Sequence, residues 1–440
     1  MASHAASAAA SALNPALNSA LTPAFAIPPQ PRPRPPPPPS PRGLRRRYGS
    51  RRTPRRSFQG VAGPFPPQAA ATARPANPPS DSDSADADAF AGRRAAEALA
   101  GATGLLRRGR VSEPEWGAVH LLSAALGLDW DLGYRRLREV AAAGEGGGGE
   151  GGAGGGGAHS SASSLAGRAL TAEEGERLAA MLRRRLRHEP LQYILGRWDF
   201  CDLTLRVRSP CLCPRPETEE LVDLAALDVA RALALAQTPG RKRVRVLDVG
   251  CGSGAVGLAL ASRFGTAIDV TAIDVEPMAV ELANENALEV LGGEASYRAV
   301  LCGADGFGGP KFDVVVSNPP YIPRADMAGL AADVVGYEAD EALCGGEDGL
   351  DVVRAIVRRL PDWAAGGGCT CWMEVDTSHP ALIERWLGGG ATGDGAEGGA
   401  TGVHFCEGVR DLCGRDRFVK LRVPPRGSQE RNGNHEINAY

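Results

Sequence analysis

Beginning near Phe90, apolar residues recur three and four positions apart, the period of a helix with one buried face. The stretch "AGRRAAEALAGATGLL" (91–106) is followed by "EPEWGAVHLLSAALG" (113–127), where Trp116, Val119, Leu122 and Leu126 fall roughly on one face. A third short helix is expected over 131–142. A fourth covers "TAEEGERLAAMLRRRLRH" (171–188), where Thr171 and Glu174 have the spacing of a capping box. Between these two, 144–168 is dominated by glycine and reads as a flexible insert. Together the helices predict a small helical domain over 90–190.

The period then changes. "WDFCDLTLRVR" (198–208) alternates like a short hairpin strand. Beyond it, short apolar runs, "RKRVRVLDVG", "AIDVTAID", "FDVVVSN" and "CTCWMEVD", alternate with helical ones, "SGAVGLALASRFG", "EPMAVELANENALEVL", "GLDVVRAIVRRLPDW" and "HPALIERWL". Strand and helix in alternation predict an α/β domain, 191–423, with a parallel sheet covered on both faces. The last two strand candidates, "VHFCEGVR" and "RFVKLRV", have no helix between them and predict an antiparallel hairpin at one edge. The glycine-rich stretch 388–402 reads as a surface insert, and 424–440 as a loose tail.

Composition changes the picture at the N-terminus. Residues 1–80 hold eleven arginines, no lysine and no acid, with a proline run at 35–39. Such a segment buries too little apolar surface to offset its ordering entropy, so 1–85 reads as a disordered, organelle-targeting transit peptide. A disordered tail with no address is the other reading. The first arginine, Arg32, follows an uncharged Ala/Ser stretch, which leans towards a chloroplast and leaves a mitochondrion open. No run of 18 apolar residues predicts a membrane span. The formal charge of −3 includes the eleven arginines, so the rest of the chain is acidic and direct nucleic-acid binding is not expected. The basic run Arg183, Arg184, Arg185 and Arg187 either faces an acidic partner or suits the carbonyl end of its helix. The ten cysteines include two C-x-C pairs, Cys211/Cys213 and Cys369/Cys371, but no zinc spacing. They read as small buried side chains in a reducing compartment, and no metal is expected.

Candidate chemistry starts where the first strand of the α/β domain hands over to a helix. "VLDVGCGSGAVGLALA" sets Asp248, Gly250, Gly252 and Gly254 at that junction, where glycines let the backbone approach a ligand closely. The spacing Gly250-x-Gly252-x-x-Ala255 also fits a dinucleotide fingerprint. Asp248, however, would repel a pyrophosphate and attract the ammonium of a methionyl group. Asp274 ends the next strand, where it can accept hydrogen bonds from ribose hydroxyls or cap the following helix. The two acids favour an S-adenosylmethionine pocket.

The stretch "VVVSNPPYIP" (314–323) runs from a buried strand into residues that can continue neither strand nor helix. Prolines fix φ and remove N–H donors, so Asn318, Pro319 and Pro320 form a rigid corner with free carbonyls. The side-chain oxygen of Asn318 and the backbone oxygen of Pro319 offer two acceptors to one planar –NH₂ group, with the ring of Tyr321 against it. That arrangement suits methyl transfer to a poor nitrogen nucleophile by positioning and charge complementarity. Adenine N6 and a glutamine side chain both fit it.

Five ordered motifs decide between them: "HEPLQYILGRWDF", "PRPETEELV", "VLDVGCGSGAVGLALA", "SNPPYIP" and "YEADEALCGGEDGLDVV". In that order they resemble the HemK/PrmC family of protein-(glutamine-N5) methyltransferases over roughly 170–423. The late stretches "MEVDTSHPALIERWL" and "DLCGRDRFVKLR" are similar to its mitochondrial members. The resemblance implies a class I S-adenosylmethionine-dependent methyltransferase fold. This is a Rossmann-like, seven-stranded, mostly parallel sheet with an antiparallel edge hairpin, preceded by a helical domain. It also implies a substrate, the glutamine of the Gly-Gly-Gln loop in an organellar peptide chain release factor, and a monomeric enzyme. By the family pattern Asp248, Gly250, Cys251, Gly252, Ser253, Gly254 and Asp274 hold the cofactor, with Asn318 near its methionine moiety. Asp305, in "CGADGF", matches the acid before the adenine-side loop. Asn318, Pro319, Pro320 and Tyr321 hold the glutamine. Arg215, Glu217 and Glu219 are candidates for the substrate entrance, or ordinary first-turn residues of a helix. The family usually has Glu-Pro where this chain has Glu338-Ala339. An adenine-N6 methyltransferase and a catalytically idle cofactor-binding or assembly factor are the alternatives.

Overall fold

Helix α1 (Ala95–Arg108) and helix α2 (Pro114–Ala125) form as their apolar spacing predicts, and α3 (Ala172–Leu186) begins at the expected capping box. The Thr171 hydroxyl accepts from the Glu174 N–H at 3.2 Å, and the Glu174 carboxylate accepts from the Thr171 N–H at 2.9 Å. The computed structural model describes residues 90–128, 137–140, 164–235, 243–293, 296–388 and 402–426. The expected transit segment, 1–85, 144–163 of the insert, 389–401 and 427–440 lie outside the described residues, as does most of the third expected helix, of which 137–140 is helical.

Three boundaries differ from the sequence reading. The insert ends earlier than expected, because 164–167 is helical, Leu165 and Ala166 pack on the helical core, and Arg168 bonds Glu174 at 2.6 Å. The helical domain extends past 190 to α4 (Leu191–Leu195), whose Leu191 and Ile194 are buried in that core. The tail begins later than 424, since the Arg426 N–H reaches the Gly366 carbonyl at 3.2 Å. Helix α2 also buries more than one face: Gly117 through Ser123 are all buried, because α1, α3 and α4 surround it.

Strands β1 (Arg197–Phe200) and β2 (Leu203–Arg206) make the expected hairpin. The α/β domain then runs α5 (Thr218–Leu235), β3 (Val244–Val249), α6 (Ala255–Phe264), β4 (Ile268–Asp274), α7 (Pro277–Leu291), β5 (Ser296–Leu301) and β6 (Val314–Ser317). It continues with α8 (Asp340–Leu343), α9 (Asp351–Trp363), β7 (Cys369–Glu374), α10 (His379–Gly388), β8 (His404–Arg410) and β9 (Asp416–Val423). The sheet has seven strands in the order β5-β4-β3-β6-β7-β9-β8. The first five are parallel, and β9 and β8 form the antiparallel edge. Strand β5 is an addition: its "SYRAVL" is half exposed and lacks the apolar run that marked the others.

Period-two alternation builds both layers. Val246, Val316 and Trp372 face α5 and α6, while Leu247, Val315 and Met373 face α9 and α10. Val314, Val315 and Val316 are at most 1% exposed, and each such side chain contributes about 1.5–3 kcal/mol relative to exposure. β3 sits centrally, with β4 on one side and β6 on the other. The chain therefore leaves its first strand in one direction and returns on the other, which opens a crevice beyond the carboxyl ends of β3 and β6.

Candidate active site

At the end of β3 the chain needs three backbone conformations that side chains rarely allow. Gly250, Gly252 and Gly254 have φ of 70°, 53° and 84°. Gly250 and Cys251 donate their N–H groups to the Ile273 carbonyl at 2.8 and 3.1 Å, tying the loop to β4. Gly254 caps α6, and a Cβ there would meet the Tyr297 hydroxyl oxygen at 2.8 Å. Ser253 is buried, and its carbonyl accepts from the Asn286 side chain at 2.9 Å.

Two acids hold this loop. Asp248 is 1% exposed, and its Oδ2 accepts from the Gly257 N–H in the first turn of α6 at 2.9 Å. Burial lifts its carboxyl to about 7, with the nearby Asp274 pushing the same way and the Gly257 bond opposing. Asp274 accepts from the Gly252 N–H at 2.8 Å and the Glu276 N–H at 2.9 Å. Burial raises its carboxyl while these bonds pull it back. A carboxylate has about four acceptor positions, and with the Val275 N–H also bonding it Asp274 retains capacity for a further hydroxyl. Glu276, at the start of α7 and on the wall of the same cavity, was not singled out in the sequence.

The Asn-Pro-Pro-Tyr corner leaves β6 beside this loop, because Val249 and Ser317 are register partners. Ser317 donates to the Val249 carbonyl at 2.7 Å and locks the two strand ends together. Asn318 donates its Nδ2 to the Thr218 hydroxyl at 3.0 Å. Thr218 in turn donates to Glu374 Oε2 at 2.8 Å, and Tyr321 donates to Glu374 Oε1 at 3.2 Å. Glu374 is 1% exposed; burial raises its carboxyl, opposed by the Thr218 bond and by Arg417, whose Nη1 lies 3.9 Å away. Among the described residues no donor reaches Asn318 Oδ1 or the Pro319 carbonyl.

Loop and corner open on one cavity of about 630 Å³, within the 300–1,000 Å³ range of small-molecule sites. Asp248, Gly250, Cys251, Gly252, Ser253, Asp274, Asp305, Asn318 and Pro320 line it. Gly254, Pro319 and Tyr321 are not on its wall. Gly254 shapes the loop from behind, Pro319 is buried, and the Tyr321 hydroxyl bonds Glu374. Asp305 lies at the rim, 70% exposed and 3.6 Å from Arg358. A cavity with one acid beneath a glycine loop and a second acid at the adjacent strand end fits a ligand with a cationic end and a ribose. That donor and acceptor set suits S-adenosylmethionine, which carries both groups.

The "PRPETEELV" candidates separate. Arg215 lines the cavity and pairs with the buried Glu338 at 2.8 Å. Glu217 reaches Arg415 at 3.4 Å, Glu219 accepts from the Cys201 N–H at 3.0 Å, and neither lines the cavity. Thr218, the residue between them, was not singled out, nor was Glu374. Ala339, where the family usually has proline, uses its N–H on the Pro210 carbonyl at 2.9 Å, a bond proline could not make. Two of the arginines at 183–187 turn inward: Arg184 grips Glu189 at 2.5 Å, and the buried Arg185 bonds the Glu189 carbonyl at 2.8 Å and Ser112. All four cysteines of the C-x-C pairs are buried, but Cys211 and Cys213 enter different clusters, and Cys406 and Cys413 are exposed.

Residues 224–348 match the family model described as "Methyltransferase small domain", and residues 163–196 match "PrmC N-terminal domain". The chain is 35% identical over 265 residues to the human "MTRF1L release factor glutamine methyltransferase", covering 58% of this chain and 73% of that protein. It is 35% identical over 254 residues to the release factor glutamine methyltransferase of Geobacter sulfurreducens, covering 58% of this chain and 80% of that one. With the protein of the same name from Gloeobacter violaceus the identity is 41% over 257 residues, covering 58% and 82%.

Proposed function

This chain belongs to the release factor glutamine methyltransferase family, and from that premise we propose that it methylates the side-chain nitrogen of the glutamine in the Gly-Gly-Gln loop of an organellar peptide chain release factor. The bound S-adenosylmethionine supplies the methyl group, carried on a positively charged sulfur. The protein's own contribution is to hold a reluctant nitrogen. An amide lone pair is delocalised into its carbonyl; Asn318 Oδ1 accepts one hydrogen of the –NH₂ group from the cavity wall, and the Pro319 carbonyl, which is not on that wall, takes the other once the substrate is docked. Their partial negative charge favours the positive charge that develops on nitrogen, and the fixed corner keeps that nitrogen facing the cavity. The nitrogen gains the methyl as the sulfur–methyl bond breaks, its electron pair staying on a now neutral sulfur, and the nitrogen then releases a proton to solvent, so no general base is needed.

One observation carries this reading: the Asn318 amide spends its nitrogen on Thr218, so the residue on the cavity wall keeps an acceptor oxygen for the substrate. The organellar address rests on the arginine-rich, acid-free segment 1–80. An adenine amine would suit the same corner, but Arg184 and Arg185, the centre of the basic run outside that segment, are engaged within the protein.

The test incubates the chain with methyl-labelled S-adenosylmethionine and an organellar release factor or its Gln→Ala variant in the Gly-Gly-Gln loop. Label is expected on the parent release factor alone. Equal labelling of both proteins, or label on nucleic acid offered instead, overturns the proposal.

A further inference from the structure

The direction of the Asn318 amide is not set by Asn318. A carboxamide can turn over at little cost, exchanging oxygen for nitrogen, and only its neighbours decide which faces a ligand. Here the neighbours form a buried relay. Thr218 has one hydroxyl proton, and an ionised carboxylate can only accept, so that proton goes to Glu374 Oε2, 2.8 Å away. The Thr218 oxygen is then an acceptor, and the group facing it at 3.0 Å must be the Asn318 –NH₂. Glu374 is oriented in turn. Its other oxygen, Oε1, accepts from Tyr321 at 3.2 Å and faces Arg417 at 3.9 Å, and Arg417 is held by Asp411 at 3.0 Å in the β8–β9 turn.

We infer that Thr218 and Glu374 are positioning residues for this methyl transfer: by ordering donors and acceptors along Glu374–Thr218–Asn318, they keep an acceptor oxygen, not an –NH₂, facing the substrate nitrogen. The inference rests on the reading above that the acceptor is a –NH₂ group. Thr218 also lines the cavity, and both residues act through the Asn318 amide.

The relay has a polarity, and one isosteric change reverses it. In Glu374→Gln the new side chain places its oxygen where Tyr321 and Arg417 demand an acceptor. Its –NH₂ therefore faces Thr218 and donates to it. The Thr218 proton has then lost its acceptor, and of its two partners only Asn318, with its amide turned over, can take it; that turns the Asn318 oxygen inward and presents –NH₂ to the cavity, where it repels the substrate –NH₂. Thr218→Val keeps the shape but removes the hydroxyl, and the amide is left unguided. Thr218→Ser restores the hydroxyl.

Two measurements on the full chain test this. In ¹⁵N-asparagine-labelled protein without ligand, the Asn318 side-chain –NH₂, identified by its absence in Asn318→Ala, should exchange with solvent slowly. In Glu374→Gln and Thr218→Val it should exchange about tenfold faster or more. In methylation assays, both variants should lose roughly a hundredfold in kcat, as when one preorganised polar group is removed from a transition state. S-adenosylmethionine affinity should stay within about threefold, and Thr218→Ser should recover most of the lost kcat. Fast exchange in the parent, parental kcat in Glu374→Gln, or a loss of cofactor affinity matching the loss of kcat each overturns the inference. If the parent shows slow exchange and both variants fast exchange, yet no release factor is labelled, the orientation stands and the proposed substrate falls.

Discussion

Two neighbouring strand ends build this site by opposite means. The loop after β3 is held by groups close in sequence: Asp248 bonds Gly257, nine residues on, and Asp274 bonds Gly252 and Glu276. The corner after β6 is held from far away, since Asn318 bonds Thr218 across 100 residues and Tyr321 bonds Glu374 across 53. A binding loop that holds itself keeps its shape when the rest of the domain shifts. A corner held by three other elements reports the state of the whole domain, which suits the step that must wait for a protein substrate to dock.

Removing the corner's central group should therefore disable transfer without disabling the loop. Asn318→Ala is expected to lower kcat by about a thousandfold, while cofactor affinity falls less than about tenfold, checked by turnover and calorimetry in parallel. The fold should survive, because Thr218 still has Glu374. If turnover is preserved, or cofactor affinity falls as far as turnover, the two strand ends are not independent.

The reverse experiment breaks the loop. Gly254→Ala places a Cβ at φ 84° and 2.8 Å from the Tyr297 hydroxyl oxygen, which lies buried beneath it. A strained left-handed residue costs about 1–3 kcal/mol, so cofactor affinity should fall by roughly ten- to a hundredfold with a lower Tm. The slow exchange expected of the Asn318 –NH₂ should be unaffected, because its partners lie elsewhere. Faster exchange at Asn318 in this variant would show that loop and corner share one scaffold after all.

The same contrast explains what could be read from the chain alone. Gly250, Gly252, Gly254, Asp248 and Asp274 were legible because a turn that needs positive φ leaves glycines in a short, ordered pattern. Asn318 was legible because two prolines after a buried strand are locally incompatible with it. Thr218 was hidden inside "PETEE", where the flanking acids carry the charge but do not line the cavity. Glu374 did leave a signal, as an acid in the apolar strand "CTCWMEV", where burial demands a partner. The partner itself lies 156 residues away and is fixed by sheet topology, not by any local pattern. β5 escaped for the same reason, because its half-exposed pattern becomes a strand only by pairing with β4.

The smallest expected effect on cofactor affinity separates the two duties of Asp248. Its carboxyl titrates at about 7 in the folded protein against an ordinary value near 3.9, so between these the folded state binds more protons than the unfolded one. Stability should therefore fall as pH rises from about 4 to 7 and then level off. In Asp248→Asn the amide oxygen can still accept from Gly257, but nothing ionises. The variant should match the parent near pH 4 and exceed it above pH 7 by roughly 2–4 kcal/mol, read as Tm against pH. Cofactor binding should move the other way. If Asp248 supplies the negative charge that meets an ammonium, parental affinity must rise as pH passes 7, while the variant binds about tenfold more weakly at pH 8 and with a flatter profile. A parental affinity as flat as that of the variant would leave Asp248 with only its bond to α6, and the cationic end of the cofactor would need another partner.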